Sequence, residues 1–239
     1  MFEWFRRRSR KGKTAAVIGQ RETIVEANRY DLADLAPDTV SYLGQVAYFE
    51  LAVFETLSRA VSESPTLGSK ERLSAVAGDA LAKHHGIVAE LRTLKVDPAA
   101  AMEPFADSID RFKELTRGND WLETLVSVYI TGGFLDDFFQ RIVGALPRAL
   151  ATRVQVLIEP DREAAIIVEQ LQAAIDIDPA VASRLALFGR RLLGDAILLA
   201  RSAIAGSGDR DHDEARMEPV FTDLIAAHSR RMDALGFTA

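Results

Sequence analysis

The sequence contains no cysteine, which excludes disulfide bonds, thiolate metal ligands and thiol catalysis. It also lacks a long apolar run, since the longest uncharged stretch near its middle, residues 124–135, is too short to cross a bilayer as a helix. The basic start is followed only by AAVIG before polar residues intervene, which is too short for a secretory signal. We therefore expect a cytoplasmic protein without a membrane span.

No stretch alternates apolar and polar residues in the way that a half-buried strand requires. Proline and glycine are scarce, with 8 and 15 among 239 residues, and the segments between them are rich in Ala, Leu, Glu and Arg, which favour helices. The sequence thus predicts an all-α protein. We expect helices over 37–62, 68–95, 104–117, 119–145, 147–176, 179–205 and 213–234.

The lengths and spacing of these helices predict a ferritin-like four-helix bundle with two additional C-terminal helices. The four bundle helices are long and are joined by short turns, except for a longer connection between the second and the third, as in a bundle with one crossover. We expect the last two helices to cover the bundle, and pairing as a homodimer stays open. Pro160 falls inside the fourth bundle helix and is expected to bend it.

Charge is distributed unevenly along the chain. Residues 1–13 hold six Arg and Lys against Glu3, whereas the whole chain has a formal charge of −6. We divide it into a flexible basic tail, 1–36, and a helical domain, 37–239. The domain is acidic, which argues against a broad nucleic-acid footprint because phosphate binding needs clustered cations. Only the tail, where aromatic residues lie next to arginines, offers contact with nucleic acid or a membrane, and we favour the interpretation of a solvated terminus.

Each of the four long helices carries one ionisable residue on its apolar stripe, where apolar positions alternate by three and four. These residues are Glu50, His84, Asp136 and Asp161. Because an unpaired carboxylate in an apolar interior costs several kcal/mol, we expect the four to meet and compensate one another. Carboxylates and an imidazole suit iron, manganese or zinc. A metal-free network of ion pairs with Arg162 or Lys83 stays equally open.

Five segments carry a resemblance to a known family: YFELAVFETLSRAV, VDPAAAMEPF, DWLETLVSVYITGGFLDDFF, LALFGRRLLGDAI and AAHSRRMDALGF. Together they resemble the ferritin-like proteins of actinobacteria that are grouped with di-iron hydroxylases modifying tRNA at 2-methylthio-isopentenyladenosine. The resemblance extends over most of the chain from residue 37 onward. It implies a ferritin-like fold and, for an intact member, a di-iron centre that activates dioxygen.

The resemblance also implies a ligand set for such a centre. It consists of a Glu on the first bundle helix, Glu-x-x-His on the second, an acidic residue on the third, and an acidic residue followed three positions later by His on the fourth. Glu50 matches the first helix, and Asp136 or Asp137 matches the third. On the fourth helix the acidic candidates are Glu159 and Asp161.

Two positions depart from this ligand set. The residues three positions before His84 and His85 are Leu81 and Ala82, so neither histidine has its glutamate. Glu159 is followed three positions later by Arg162, whose guanidinium has no lone pair to give a metal. The resemblance therefore implies a degenerate centre with at most about four ligands. The candidate ligands are Glu50, His84, Asp136, Glu159 and Asp161.

Two functions follow from this ligand count. The first, which we favour, is a non-catalytic bundle with a binding or assembly role, an unknown protein partner and no cofactor. The second is a di-iron or single-metal oxidase or hydroxylase related to the tRNA-modifying enzymes, with iron or another transition metal at the partial site. Whether the chain is an enzyme stays open, and if it is one we expect a metal-dependent oxidoreductase.

Overall fold

The computed structural model describes residues 37–159, 164–204 and 210–237. The α-helices in these ranges are α1 (Thr39–Glu63), α2 (Leu67–Thr93), α3 (Pro98–Leu115), α4 (Trp121–Ser127), α5 (Gly133–Ile142), α6 (Arg148–Leu157), α7 (Ala164–Ile177), α8 (Ala180–Ser202) and α9 (Arg210–Ala234). A π-helical turn, Val128–Gly132, joins α4 to α5, and a 3-10 turn, Val143–Ala145, follows α5. Because the described ranges contain no strand, the predicted all-α class is confirmed.

Side-chain caps determine where the first bundle helices begin. Asp38 accepts the amide of Val40 at 3.0 Å ahead of α1, and Thr66 accepts the amide of Ser69 at 3.0 Å ahead of α2. Such caps satisfy amide groups that have no partner inside the helix. Both helices therefore start within two residues of their predicted positions.

The connecting helix between the second and third bundle helices starts earlier than predicted. We expected it over 104–117, and α3 instead begins at Pro98. Asp97 caps it by accepting the amide of Ala99, and proline is favourable at the first position of a helix because its missing amide needs no partner there. Pro98 therefore begins this helix.

The predicted fourth bundle helix, 147–176, is not one continuous helix. In the structure α6 ends at Leu157 and α7 begins at Ala164. Glu159 is not helical, as expected for a residue that precedes a proline, because the proline ring crowds its α conformation. The predicted bend at Pro160 itself lies outside the described residues.

The helices share one apolar core. α1 packs along α2 and α3, and the combined α4–π–α5 element packs against α1, α8 and α9. Core side chains come from each layer and include Leu57, Leu73, Leu125, Leu171, Leu192 and Met232. Because α8 and α9 contribute to the same core as the bundle, they cover it as the sequence predicted.

Several sequence predictions fall outside this description. The basic tail, 1–36, is not among the described residues, so the domain boundary and the tail's contacts stay predictions, as do the homodimer and the protein partner. Within the described ranges, no helix is both long and apolar enough to traverse a bilayer.

The start of α4 is anchored by a buried glutamate, Glu123. Its carboxylate accepts the backbone and side-chain amides of Asn119, at 2.9 and 2.7 Å, and pairs with Arg184 of α8 at 2.6 Å. Burial acts to raise the pKa of Glu123, but the hydrogen bonds and the Arg184 charge outweigh burial, so this pKa lies below its ordinary value of 4.5. The ionised carboxylate therefore ties α4 to α8.

Replacing this glutamate tests the anchor and its pH dependence. We expect Glu123→Gln to lower the free energy of unfolding at pH 7 by about 1–2 kcal/mol, since Arg184 is partly exposed and screened. A lowered folded-state pKa stabilises the fold above pH 4.5 and loses that contribution as the pH falls through the folded value. The gap between wild type and variant, measured by urea unfolding, should therefore shrink from pH 7 to pH 3.5.

The exposed Glu114 provides the control, because its ion pair with Arg117 is long, at 3.6 Å, and lies at the surface. Glu114→Gln should change stability little at either pH. A gap for Glu123→Gln that stayed the same at both pH values would contradict the anchor.

Candidate functional site

A cavity of about 90 Å³ lies among the bundle helices beside the π turn, and we call it the central cavity. Its lining comes from α1, α2, the α4–π–α5 element, α7 and α9, and most of it is apolar or glycine. The ionisable residues that line it are Glu50, Lys83, Tyr129, Asp136 and Arg231. The bundle therefore encloses a polar centre, as the apolar stripes predicted.

Two of the predicted ligands meet at this cavity. Glu50 lies on the inner face of α1 and is 2% exposed. Asp136 lies in the first turn of α5, just after the π turn. A carboxylate in such surroundings needs a compensating positive charge or donor, because water cannot supply it.

Lys83 supplies positive charge at the central cavity. Its Nζ lies 3.6 Å from Oδ2 of Asp136, and the two side chains are 6% and 16% exposed. Burial raises the pKa of Asp136, and the charges of Lys83 and Arg231 act against that rise. The ammonium of Lys83 therefore compensates the charge of the buried Asp136 carboxylate.

Arg231 brings a second cation to the same region from the last helix. Its guanidinium pairs with Asp137 at 2.9 Å, and it passes so close to Gly133 that a Cβ at this glycine would collide with it. Gly133 therefore leaves room for the Arg231 guanidinium, which would have to shift if this residue carried a Cβ. Asp137, the alternative to Asp136 in the sequence prediction, is held in this outer ion pair.

His84 is buried but does not line the central cavity. Its Nδ1 lies 2.8 Å from the carbonyl oxygen of Ala47, so this nitrogen carries the proton and donates to α1. The α2 residues that face the cavity at a spacing of three are instead Ala80 and Lys83. Neither provides the carboxylate or imidazole that the Glu-x-x-His pattern requires.

The described part of the fourth bundle helix adds no ligand. Ala164 and Ile167, also three residues apart, line the central cavity from α7. Glu159 is exposed at the end of α6 and does not line the cavity. Asp161 and Arg162 lie outside the described residues, so their predicted roles stay predictions.

In the part of the chain that the structure describes, the side chains around the central cavity do not form the ligand set of a di-iron centre. Across the described ranges, no group of three or more histidine, aspartate and glutamate side chains is arranged to hold a metal ion. A charged ammonium has no lone pair to donate, and it repels a divalent cation placed next to it. The arrangement instead suits carboxylates held by internal ion pairs.

Sequence reasoning found only part of this centre. The sequence indicated Lys83 as one of two cations that could pair with the acids, and in the structure Lys83 lies beside Asp136. Arg231 was missed, because it comes from α9 and no local pattern links it to a residue 95 positions earlier. In the sequence, the signal for Arg231 was its position next to the apolar Met232, which the structure buries.

A four-helix bundle with a longer connection between its second and third helices is the arrangement of ferritin-like folds. A known family, described as the ferritin-like domain of actinomycetes, matches residues 33–213. This match covers well over half of the chain, which therefore belongs to that family. No curated protein matches the chain.

A double-mutant cycle tests whether Lys83 and Asp136 compensate each other. Lys83→Met leaves a buried carboxylate without this partner, and we expect it to cost about 3–5 kcal/mol in urea unfolding. Lys83→Met combined with Asp136→Asn should recover part of that loss, because neither charge then remains, with a coupling energy of about 0.5–3 kcal/mol. Strictly additive effects would show that the ion pair does not stabilise the centre.

Proposed function

We propose that this chain is a ferritin-like bundle whose metal centre has been replaced by internal ion pairs and which acts by binding rather than by catalysis. The observation that carries the proposal is the Lys83 ammonium, buried at the central cavity 3.6 Å from Asp136. It supplies positive charge among the carboxylates without a metal ion. The ion pair thus compensates the interior carboxylates, and iron could bind there only if the ion pair were broken.

The positions that would carry the missing ligands support the same proposal. An intact centre of the resembling family needs Glu-x-x-His on the second bundle helix, where Ala80 and Lys83 face the central cavity. Alanine donates no electron pair, and lysine donates none while it is charged. We infer that the chain shares its fold with the tRNA-modifying hydroxylases and has lost their oxygen chemistry.

One observation favours the alternative, a partial metal site with oxidase or hydroxylase activity. Glu50 and Asp136 line the same cavity, and two carboxylates are hard donors suited to iron or manganese. Binding of a metal there would require displacement of Lys83. The same experiment distinguishes the two functions.

Iron reconstitution is that experiment. Purified full-length protein is incubated with Fe(II) under anaerobic conditions, desalted, and analysed for iron and for oxygen consumption. We expect iron well below one equivalent and no oxygen consumption above the buffer rate. Retention of two equivalents with oxygen consumption would overturn the proposal and establish the alternative.

A gain-of-metal variant locates the lost ligand positions. Ala80→Glu combined with Lys83→His restores Glu-x-x-His facing the central cavity, and we expect this variant to bind more Fe(II) or Zn(II) than wild type. The matched control is Ala82→Glu, which creates the same spacing to His85 on the exposed face of α2. Equal metal uptake by the control, or none by a correctly folded double variant, would contradict the assignment of Ala80 and Lys83.

A further inference from the structure

A second cavity, of about 140 Å³, lies between α1, α3 and the start of the α4–π–α5 element, and we call it the α1–α3 cavity. A single water needs about 10–15 Å³, so this space accommodates roughly ten non-hydrogen atoms. Val53 and Val128 line both this cavity and the central cavity. The α1–α3 cavity is larger and contains none of the candidate metal ligands.

The inner wall of the α1–α3 cavity is apolar. Phe49, Ile109 and Phe112 line it, and each is less than 8% exposed. Ala52 and Val53 extend the same wall along α1. A wall of this kind favours an apolar ligand body, because its burial removes both surfaces from water.

The hydroxyl groups around the α1–α3 cavity are arranged as acceptors. Five lining residues carry hydroxyls, and each donates its proton to a backbone carbonyl at 2.7–2.9 Å. They are Thr56, Thr116, Thr124, Ser127 and Thr131. With the protons engaged, the oxygen lone pairs remain. These hydroxyl oxygens therefore favour a ligand that donates hydrogen bonds.

Two helix ends add negative potential at the mouth of the α1–α3 cavity. The C-terminal residue of α1, Glu63, and the end of α3 at Thr116 both line it, and helix C-termini carry partial negative charge. The start of α4 does not offset them, because Asp120 already accepts the amide of Glu123 at 2.8 Å. Both helix ends favour a cationic group.

Some of the charged side chains at the mouth of the α1–α3 cavity form ion pairs, and others do not. Lys113 is held by Glu55 at 2.7 Å and by Asp110 at 3.1 Å, and Asp120 pairs with Arg184 at 2.7 Å. Among the described residues, no cationic side chain lies within 4 Å of the Glu63 carboxylate, and no carboxylate lies within 4 Å of the Arg59 guanidinium. Glu63 is therefore available to an ammonium, and Arg59 is the competing site for an anion.

We propose that the α1–α3 cavity binds an amphipathic amine of roughly ten non-hydrogen atoms, with its apolar body against the phenylalanine wall and its ammonium among the hydroxyls and Glu63. This inference rests on the proposed binding role and deepens it by naming the class of ligand. The iron experiment concerns the central cavity. Iron binding there would refute the proposed function and leave this inference intact.

Three probes with the same eight-carbon chain test the head group: octylammonium, octan-1-ol and octanoate. They are titrated at pH 7 into the full-length protein by isothermal titration calorimetry. We expect saturable binding with octylammonium tighter than octan-1-ol by about tenfold or more, as for a hydrogen bond to a charged group, and octanoate weakest. Tightest binding of octanoate, or no saturable binding of any probe, would overturn the proposal.

Two matched variants test whether the ammonium group binds at the Glu63 carboxylate or near the Arg59 guanidinium. Glu63→Gln should weaken octylammonium several-fold and leave octan-1-ol unchanged, whereas Arg59→Gln should leave octylammonium unchanged or tighten it. Both side chains are exposed on the last turns of α1, so neither change threatens the fold. A loss of octylammonium binding in Arg59→Gln and not in Glu63→Gln would contradict the assignment.

A third variant places the ligand in the α1–α3 cavity. Thr56→Leu adds bulk at a lining position and should abolish binding of octylammonium and octan-1-ol alike, with folding checked by circular dichroism. Leu81→Met on α2, which lines neither cavity, is the control. Unchanged octylammonium affinity in folded Thr56→Leu would show that the amine binds elsewhere.

Discussion

The ion pair between Lys83 and Asp136 is the constraint around which the interior of this protein is organised. A four-helix bundle that brings carboxylates to its centre must give them positive charge, because an uncompensated buried carboxylate destabilises the fold. Metal ions do this in a di-iron protein, and here an ammonium 3.6 Å from Asp136 does it. In the function that we propose, this ion pair takes the role that metal ions have in a di-iron protein.

The π turn determines how the third bundle element meets its neighbours. It spans Val128–Gly132 and ends four residues before Asp136, and its residues border both cavities. π turns occur mostly as single-turn insertions in α-helices and are frequent at functional sites. Gly133, immediately after the turn, admits the guanidinium of Arg231, so the irregular backbone and the covering helix α9 meet at the edge of the central cavity.

Membership of the actinomycete ferritin-like family accounts for the fold and leaves the chemistry to be argued from the site. Fold and function separate readily, because function depends on a few side chains placed on a shared scaffold. In this chain those positions are Ala80 and Lys83 on α2, and Ala164 and Ile167 on α7. The α1–α3 cavity, by contrast, combines an apolar wall with hydroxyl acceptors, and on these two features we base the proposed binding of an amphipathic amine.

The sequence by itself determined the helical class, most helix boundaries and the inward positions of Glu50 and Asp136, because caps, breakers and apolar spacing act over a few residues. It placed His84 on the inward stripe, whereas Lys83 lines the central cavity, since neighbouring residues on a helix differ by only about 100° and both are buried. The tertiary structure decided that, together with the arrival of Arg231 from α9. Both outcomes depend on how distant helices pack, and local sequence patterns carry no information about that packing.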